Sequence, residues 1–363
     1  MASPAASLLD ALHPSTKALI SNAFWGPHPT WALFHRDADQ FEAYWKFYHR
    51  ECERALHDGG RHVLARTHQD ILDVVTALEQ DKSRENIQLT LRAKLTKTHD
   101  NEDELVDRSI DLAASLWLMV DFGNTQYGFC GRRQLQWSGE SFKNCVASGF
   151  DSTPWLGHKG VKLQRVFNAL NLDRIAGVEI LPTSNLLDHL RLTDDDTKLY
   201  IFHHASVLKC QTHKYVNKHP KFTRWLLTPT STAFPDGLIA ETIHTLALLF
   251  PQSDAGVSDW SRQLPNFDEF DPHLLLCGHL KTDDRQIENF TYWHDRLVVL
   301  KQVFDEATPR TFSQWWHDRR NGVQWYTFWV AIVVLCLTMA FGLIQSVEGA
   351  LQVYGTFRSG TGS

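Results

Sequence analysis

An unbroken apolar run near the C-terminus is the strongest pattern along the chain. From Trp325 to Ile344, twenty residues carry no charge, and twenty helical residues span about 30 Å, the thickness of a bilayer's hydrocarbon core. Trp325, Tyr326 and Trp329 cluster at its leading end, where aromatic rings favour the headgroup level. Buried core helices rarely run this long without a charge beside a basic flank, so the pattern predicts one transmembrane helix at 325–344.

Basic residues flank this span unequally. Lys301, Arg310, Arg319 and Arg320 precede it, whereas only Arg358 follows it. Since positive charge favours the cytosolic side, the large N-terminal head is expected in the cytosol, with a short tail beyond the membrane. The N-terminus lacks the basic start of a signal peptide, which predicts insertion by the C-terminal helix, as in tail-anchored proteins. The weakly basic tail favours the endoplasmic reticulum over the mitochondrial outer membrane.

Three further groups of residues relate to the predicted span. The segment before it is typical of a helix lying on anionic headgroups, although a solvated helix fits equally, and it contains Trp315, Trp316, Arg319 and Arg320. Beyond the bilayer centre, one helical face suited to self-association or to another helix carries the small residues Gly342, Ser346, Gly349 and Ala350. Asn289 begins an Asn-Phe-Thr pattern that would be glycosylated only in a lumenal head.

Helical periodicity dominates the first half of the head. Aromatic residues recur every three or four positions between residues 38 and 57, which predicts an amphipathic helix with a buried aromatic stripe of Phe41, Tyr44, Trp45, Phe47 and Tyr48. Thr67 and Asp70 have the spacing of a capping box that opens a second helix. Acidic residues after Asn101 predict the start of a third helix, whose apolar positions run from Leu105 to Val120.

The second half adds short strand-like segments. Ile175–Leu181 and Lys198–His203 are rich in Ile, Val, Tyr and Phe, which predicts two strands. Helices are predicted at Leu238–Phe250 and Gln286–Ala307, each ending before a proline, and residues 251–274 are predicted to be mostly loop. The expected fold is therefore mainly α with a minor β element, a helical cytosolic head plus one C-terminal transmembrane helix.

This pattern suggests a linear organisation of the chain. We predict an N-terminal segment, a helical region, an α+β region, a juxtamembrane helix, the transmembrane helix and a short tail, at 1–36, 37–150, 151–310, 311–324, 325–344 and 345–363. The turn-rich stretch at 148–160 fits a boundary between two domains and fits a surface loop within one domain equally well.

Composition narrows the function classes. The 363 residues are 43% hydrophobic, which is ordinary for a packed protein, and 36 Lys and Arg against 42 Asp and Glu leave a net charge of −6. This balance argues against nucleic acid as a partner. Six cysteines without a C-x-x-C pair are too sparse for a disulfide-stapled scaffold or a zinc module, which indicates a reducing compartment.

Candidate chemistry is limited to one polar cluster. The chain contains no H-E-x-x-H, Walker, dinucleotide or G-x-S-x-G pattern, so neither a cofactor nor a metal is expected. The densest set of potential ligands or acid/base groups is Asp194, Asp195, Asp196, His203 and His204. Strand alternation predicts that the two histidines face opposite sides, which argues against one shared site. The adjacent pair His294-Asp295 is likewise expected to point apart on a solvated helix face.

Three segments of the chain resemble a large family of filamentous-fungal proteins of unknown function that end in such an anchor. These segments are Asn171–Gln211, Glu241–Pro251 and Arg320–Tyr354, within a resemblance that covers roughly 101–354. The resemblance implies an anchored protein of fungal source and assigns no catalytic residue.

Two functions follow as hypotheses. The preferred one is a non-enzymatic binding or scaffold head at the cytosolic face of an internal membrane, with the lipid bilayer and a protein as partners. The alternative is a membrane-tethered accessory enzyme for an apolar small molecule, which would require a deep pocket with convergent polar groups.

Overall fold

A computed structural model describes residues 6–26, 41–95, 101–123, 133–139, 141–151, 153–157, 160–218, 233–308 and 322–360. The chain divides into two compact units. The first, the head, comprises 1–173 and 177–306, so the stretch at 148–160 lies inside one unit. The second comprises 174–176 and 307–363.

Helices build the N-terminal part of the head, as predicted. They are α1 (Pro14–Trp25), α2 (Glu42–Ala55), α3 (His57–Gly60), α4 (His68–Glu79), α5 (Arg84–Arg92), α6 (Glu102–Leu118) and α7 (Phe142–Ser148). The aromatic stripe of α2 is buried, and the Tyr44 hydroxyl donates a hydrogen bond of 2.9 Å to the Leu116 carbonyl of α6. The aromatic stripe of α2 therefore belongs to the hydrophobic core, because burying large aromatic rings contributes much of the stabilising energy of a core.

Local capping signals were also predicted correctly. The Thr67 side chain accepts the Asp70 N–H, and the Asp70 carboxylate accepts the Thr67 N–H, which completes the capping box of α4. Asn101 precedes α6 at its acidic first turn. Between Asp121 and Trp137, where the sequence suggested an irregular hairpin, Phe122 and Leu135 form an isolated parallel bridge, and residues 124–132 lie outside the described part.

A small sheet of three strands follows. The chain passes through α8 (Ala169–Asn171) and a π-helix (Leu172–Ala176) into β1 (Glu179–Thr183), β2 (Arg191–Thr193) and β3 (Lys198–Phe202). β3 is central, parallel to β1 and antiparallel to β2. Pro182 is tolerated because β1 is an edge strand. The predicted first strand begins too early, since residues 172–176 are helical, and β2 was not predicted.

The remaining elements of the head differ from the sequence-based expectation at residues 251–274 and at the start of the last helix. They are α9 (Ala205–Lys218), α10 (Leu238–Leu249), α11 (Ala255–Ser261) and α12 (His294–Glu306), with short 3-10 turns at Leu186–Asp188, Phe267–Glu269, Pro272–Leu276, Asp283–Arg285 and Ile287–Asn289. The stretch 251–274, predicted to be mostly loop, contains the short helix α11, whose first N–H groups are capped by the Asp254 side chain.

The last helix of the head starts later than predicted, at His294 instead of Gln286. The Glu241 carboxylate of α10 accepts the backbone N–H groups of Tyr292 and Trp293, both at 2.8 Å. The Trp293 indole N–H also donates to the Thr242 hydroxyl at 2.9 Å. These hydrogen bonds hold the residues just before α12 in a non-helical conformation.

The second unit contains one long helix, α13 (Gly322–Gly360). Its part from Trp325 to Gly355 is long and apolar enough to cross a membrane, and none of the residues in its most apolar stretch is buried. The helix continues past Ile344 through the predicted tail as far as Gly360. Of the predicted juxtamembrane helix, only residues 322–324 lie within the described part.

Glu241 is expected to be a main stabilising residue of the head. Glu241→Ala leaves two N–H groups without an acceptor, which should lower the free energy of unfolding by about 3 kcal/mol. Glu241→Gln keeps an acceptor oxygen and should cost less. Urea unfolding of the full chain in detergent, followed by circular dichroism, measures both. The exposed Glu269→Ala is the control, and equal losses for Glu269→Ala and Glu241→Ala would contradict this assignment.

Candidate functional site

The acidic turn lies between β2 and β3 and is exposed. Asp194, Asp195 and Asp196 have φ values of 53°, 52° and 62°, all in the left-handed region. The Asp194 carboxylate is 2.7 Å from the Lys198 ammonium, and the Thr197 hydroxyl donates to the Asp194 carbonyl. The turn therefore closes the β2–β3 hairpin through its own contacts.

The two histidines lie at the other end of β3 and face each other. The centroids of the His203 and His204 rings are 3.9 Å apart, with 35° between their planes. The prediction of opposite faces is wrong, because the strand ends at Phe202 and the chain turns directly into α9. The structure thus joins the histidines to each other and separates them from the acidic turn by the length of β3.

Asp271 organises the surroundings of His203. The Asp271 N–H donates to His203 Nδ1 at 3.0 Å, while its carboxylate accepts the Ser206 N–H at 2.7 Å and the Ser206 hydroxyl at 2.5 Å. The His273 N–H donates to the same carboxylate at 2.9 Å. Burial alone would raise the pKa of Asp271, but the hydrogen bonds from His273 and Ser206 outweigh it and hold that pKa below its usual value.

His204 is completely buried, and only one of its two ring nitrogens has a hydrogen-bond partner among the described residues. Its Nε2 lies 3.0 Å from the Ser184 hydroxyl, and its Nδ1 has no hydrogen-bond partner among the described residues. Burial lowers the pKa of His204 well below its usual value, and the neighbouring His203 and Arg50 lower it further. Burial lowers the pKa of His203 to about 4, against the opposing effect of Asp271. Both rings are therefore neutral at pH 7.

A third histidine, His189, belongs to the same buried network and was missed in the sequence. Its Nδ1 accepts the Phe202 N–H at 3.1 Å, and its Nε2 lies 2.7 Å from the Thr245 hydroxyl. Burial, followed by the charge of Arg296, lowers its pKa well below the usual value. The available signal was the position of His189 in a short segment with leucines at 186, 187 and 190.

The contacts of Asp271, Ser206 and His203 differ from those of a hydrolase triad. In a hydrolase triad the carboxylate orients the histidine and the histidine contacts the hydroxyl. Here the Asp271 carboxylate holds Ser206 directly, and His203 accepts a backbone N–H. Within the described residues, no group of three or more His, Cys, Asp and Glu side chains is arranged to hold a metal ion.

His294 and Asp295 contact each other, contrary to the expectation from helix geometry. His294 Nδ1 lies 2.9 Å from the Asp295 carboxylate, and His294 is buried. The pair opens α12, where Asp295 also accepts the N–H groups of Trp155 and Leu156. The carboxylate therefore joins α12 to a distant loop.

A cleft of about 390 Å³ lies beside the C-terminal half of α12. Its lining consists of Val161, Ile287, Val298, Lys301, Gln302, Asp305 and Glu306. The Lys301 ammonium pairs with the Asp305 carboxylate, so two of its charges satisfy each other. None of the buried histidines contributes to this lining.

The predicted membrane residues are distributed along α13. Trp325, Tyr326 and Trp329 form an aromatic cluster, with ring centroids 5.1 Å apart for Trp325 and Tyr326 and 6.1 Å apart for Trp325 and Trp329. Exposed small residues follow on the helix, namely Gly342, Ser346, Gly349 and Ala350, and the Ser346 hydroxyl donates to the Gly342 carbonyl. Outside the described residues lie Trp315, Trp316, Arg319 and Arg320.

The possible glycosylation site is on the surface of the head. Asn289 is exposed at the end of a 3-10 turn, and its side-chain N–H donates to the Asp283 carbonyl at 3.0 Å. Its exposure makes it usable as a reporter of topology.

In comparisons with known proteins, no protein family, no curated protein and no solved structure matches this chain.

Lowering the pH from 7 to 5 is expected to destabilise the head. The pKa of His203 is about 4 in the folded protein and near 6.5 in the unfolded chain, so the unfolded chain binds the extra proton. The neutral His203 ring contributes its full stabilisation above pH 6.5, and this contribution is lost as the pH falls towards 4. At pH 5 the loss lowers the free energy of unfolding by about 2 kcal/mol for His203 alone. Urea unfolding of the full chain at both pH values measures the loss.

Two variants separate this effect from general acid sensitivity. His203→Gln should be less stable at pH 7 and should lose less further stability at pH 5. His62→Gln, at an exposed position, should behave like the wild type. A wild type equally stable at pH 5 and pH 7 would show that these rings are not held neutral.

Proposed function

We propose that the protein is a single-pass, tail-anchored membrane protein whose head lies at the cytosolic face of an internal membrane and binds a protein or lipid partner without catalysing a reaction. The observation that carries this proposal is α13, in whose apolar part from Trp325 to Gly355 no residue is buried. Such a surface is stable in hydrocarbon and costly in water, which favours a bilayer around the helix.

The orientation rests on the charges that flank the span. The preceding Lys301, Arg310, Arg319 and Arg320 outnumber the single following Arg358, which favours a cytosolic head. The endoplasmic reticulum is the membrane that we propose.

A binding role is favoured over catalysis by the way the head uses its polar groups. His189 and His203 each accept a backbone N–H, and the Asp271 carboxylate is occupied by Ser206 and His273. Because Nδ1 of each neutral ring accepts an N–H, the ring proton lies on Nε2, so neither ring has a free basic nitrogen for a substrate. The alternative, a tethered enzyme, would need such groups in a cleft, and the cleft beside α12 lacks the histidines.

Protease protection tests the topology. The full chain carries a tag at each end, and protease is added to intact vesicles from expressing cells. We expect loss of the N-terminal tag, protection of the C-terminal tag and no sugar on Asn289. The matched control is Ser359→Asn, which places an Asn-Gly-Thr pattern in the tail and should add one sugar if that tail is in the lumen of the endoplasmic reticulum.

The opposite result is equally clear. A protected N-terminal tag, together with a mobility shift that Asn289→Gln abolishes, would place the head in the lumen and overturn the proposed orientation. Recovery of the chain in the soluble fraction would overturn the anchor itself.

A further inference from the structure

A tryptophan side chain stands out from the surface of the head. Trp155 is 84% exposed, more than any other large apolar side chain in the described part of the head, and the adjacent Leu156 is 38% exposed. Proteins normally bury the large indole ring of tryptophan. Its N–H group, however, makes the side chain well suited to an interface between apolar and aqueous surroundings.

The backbone that carries this side chain is fixed. The Trp155 N–H donates to one oxygen of the Asp295 carboxylate at 2.9 Å, and the Leu156 N–H donates to the other oxygen at 3.2 Å. His294 Nδ1 also contacts that carboxylate, at 2.9 Å. Two N–H groups on one carboxylate are strong, oriented hydrogen bonds, so they fix the backbone position from which the indole extends.

The neighbouring surface is apolar and its carboxylates are occupied. Val299 follows Asp295 by one turn on the same face of α12 and is 38% exposed. Besides Asp295, the nearby Glu288 carboxylate accepts the Gly160 N–H at 2.9 Å. The surface formed by Trp155, Leu156 and Val299 thus offers apolar side chains beside carboxylates that are already hydrogen-bonded.

We propose that Trp155 and Leu156 insert into the headgroup layer of the bilayer, as a second attachment of the head to the membrane. The indole is the side chain that most favours this depth, with its ring towards the acyl chains and its N–H towards water. The inference rests on the proposed function, because it requires α13 to lie in that bilayer.

Because α13 already links the head to the bilayer, two apolar side chains are enough to hold the loop against the membrane. Two apolar side chains bind a free bilayer weakly, but a head linked to the membrane meets it at a high effective concentration. Fifteen residues, 307–321, join the head to α13, and even a helix of that length spans about 22 Å. Asp295 lies only about 17 Å along α12 from Glu306, where the head ends. The connection is long enough for the loop to touch the bilayer.

Fluorine NMR of the full chain tests the insertion. The protein is labelled with 5-fluorotryptophan and placed in phosphatidylcholine nanodiscs, and the resonances of Trp155 and Trp325 are assigned from their loss in Trp155→Phe and Trp325→Phe. A nitroxide lipid labelled near the headgroup should broaden both resonances. A water-soluble gadolinium chelate should broaden the Trp155 resonance much less than that of an exposed indole elsewhere.

The matched control is Leu89→Trp, which adds an indole at a position on α5 that is 63% exposed. The nitroxide lipid should relax the Trp155 resonance several-fold more than the resonance of this added indole. Broadening of Trp325 without Trp155, or equal effects on Trp155 and the added indole, would overturn the insertion and leave the anchor intact. Absence of broadening at Trp325 would overturn the anchor as well.

Discussion

The head depends on two imidazole rings that accept backbone hydrogen bonds and must therefore stay uncharged. His189 accepts the N–H of Phe202 at the end of β3, and His203 accepts the N–H of Asp271, 68 residues further along the chain. A protonated ring has no acceptor nitrogen, so both bonds exist only while burial keeps these rings neutral. Burial in turn requires the surrounding elements to be in place, which couples the sheet to the helices packed around it.

Buried or half-buried carboxylates perform the same task elsewhere in the head. Glu241 holds the chain before α12, Asp271 holds the start of α9, and Asp295 holds the loop that carries Trp155. Glu241 and Asp295 each accept two N–H groups from a distant segment, and Asp271 accepts both the N–H and the hydroxyl of Ser206. These bonds satisfy backbone groups that regular secondary structure leaves without partners. Of the groups that first suggested chemistry, His203 and Asp295 accept backbone N–H groups from distant segments in this way.

Two features with exposed apolar side chains lie outside this buried network: the loop that bears Trp155 and the helix α13. The loop bearing Trp155 is rigid because Asp295 clamps its backbone, and rigidity reduces the entropy lost when a side chain enters a partner or a lipid layer. The apolar helix α13 supplies the complementary element, a surface that is stable only away from water. Both features support our proposal that the head acts at a membrane surface.

The sequence by itself determined the elements whose causes are local. The apolar length of α13, the capping box of Thr67 and Asp70 and the aromatic stripe of α2 each depend on residues within a few turns, and each is present as predicted. Only the tertiary structure decided that His203 faces His204, and that α12 begins at His294. Both depend on partners brought from distant segments, Asp271 in one case and Glu241 in the other, and periodicity along the chain carries no information about such encounters.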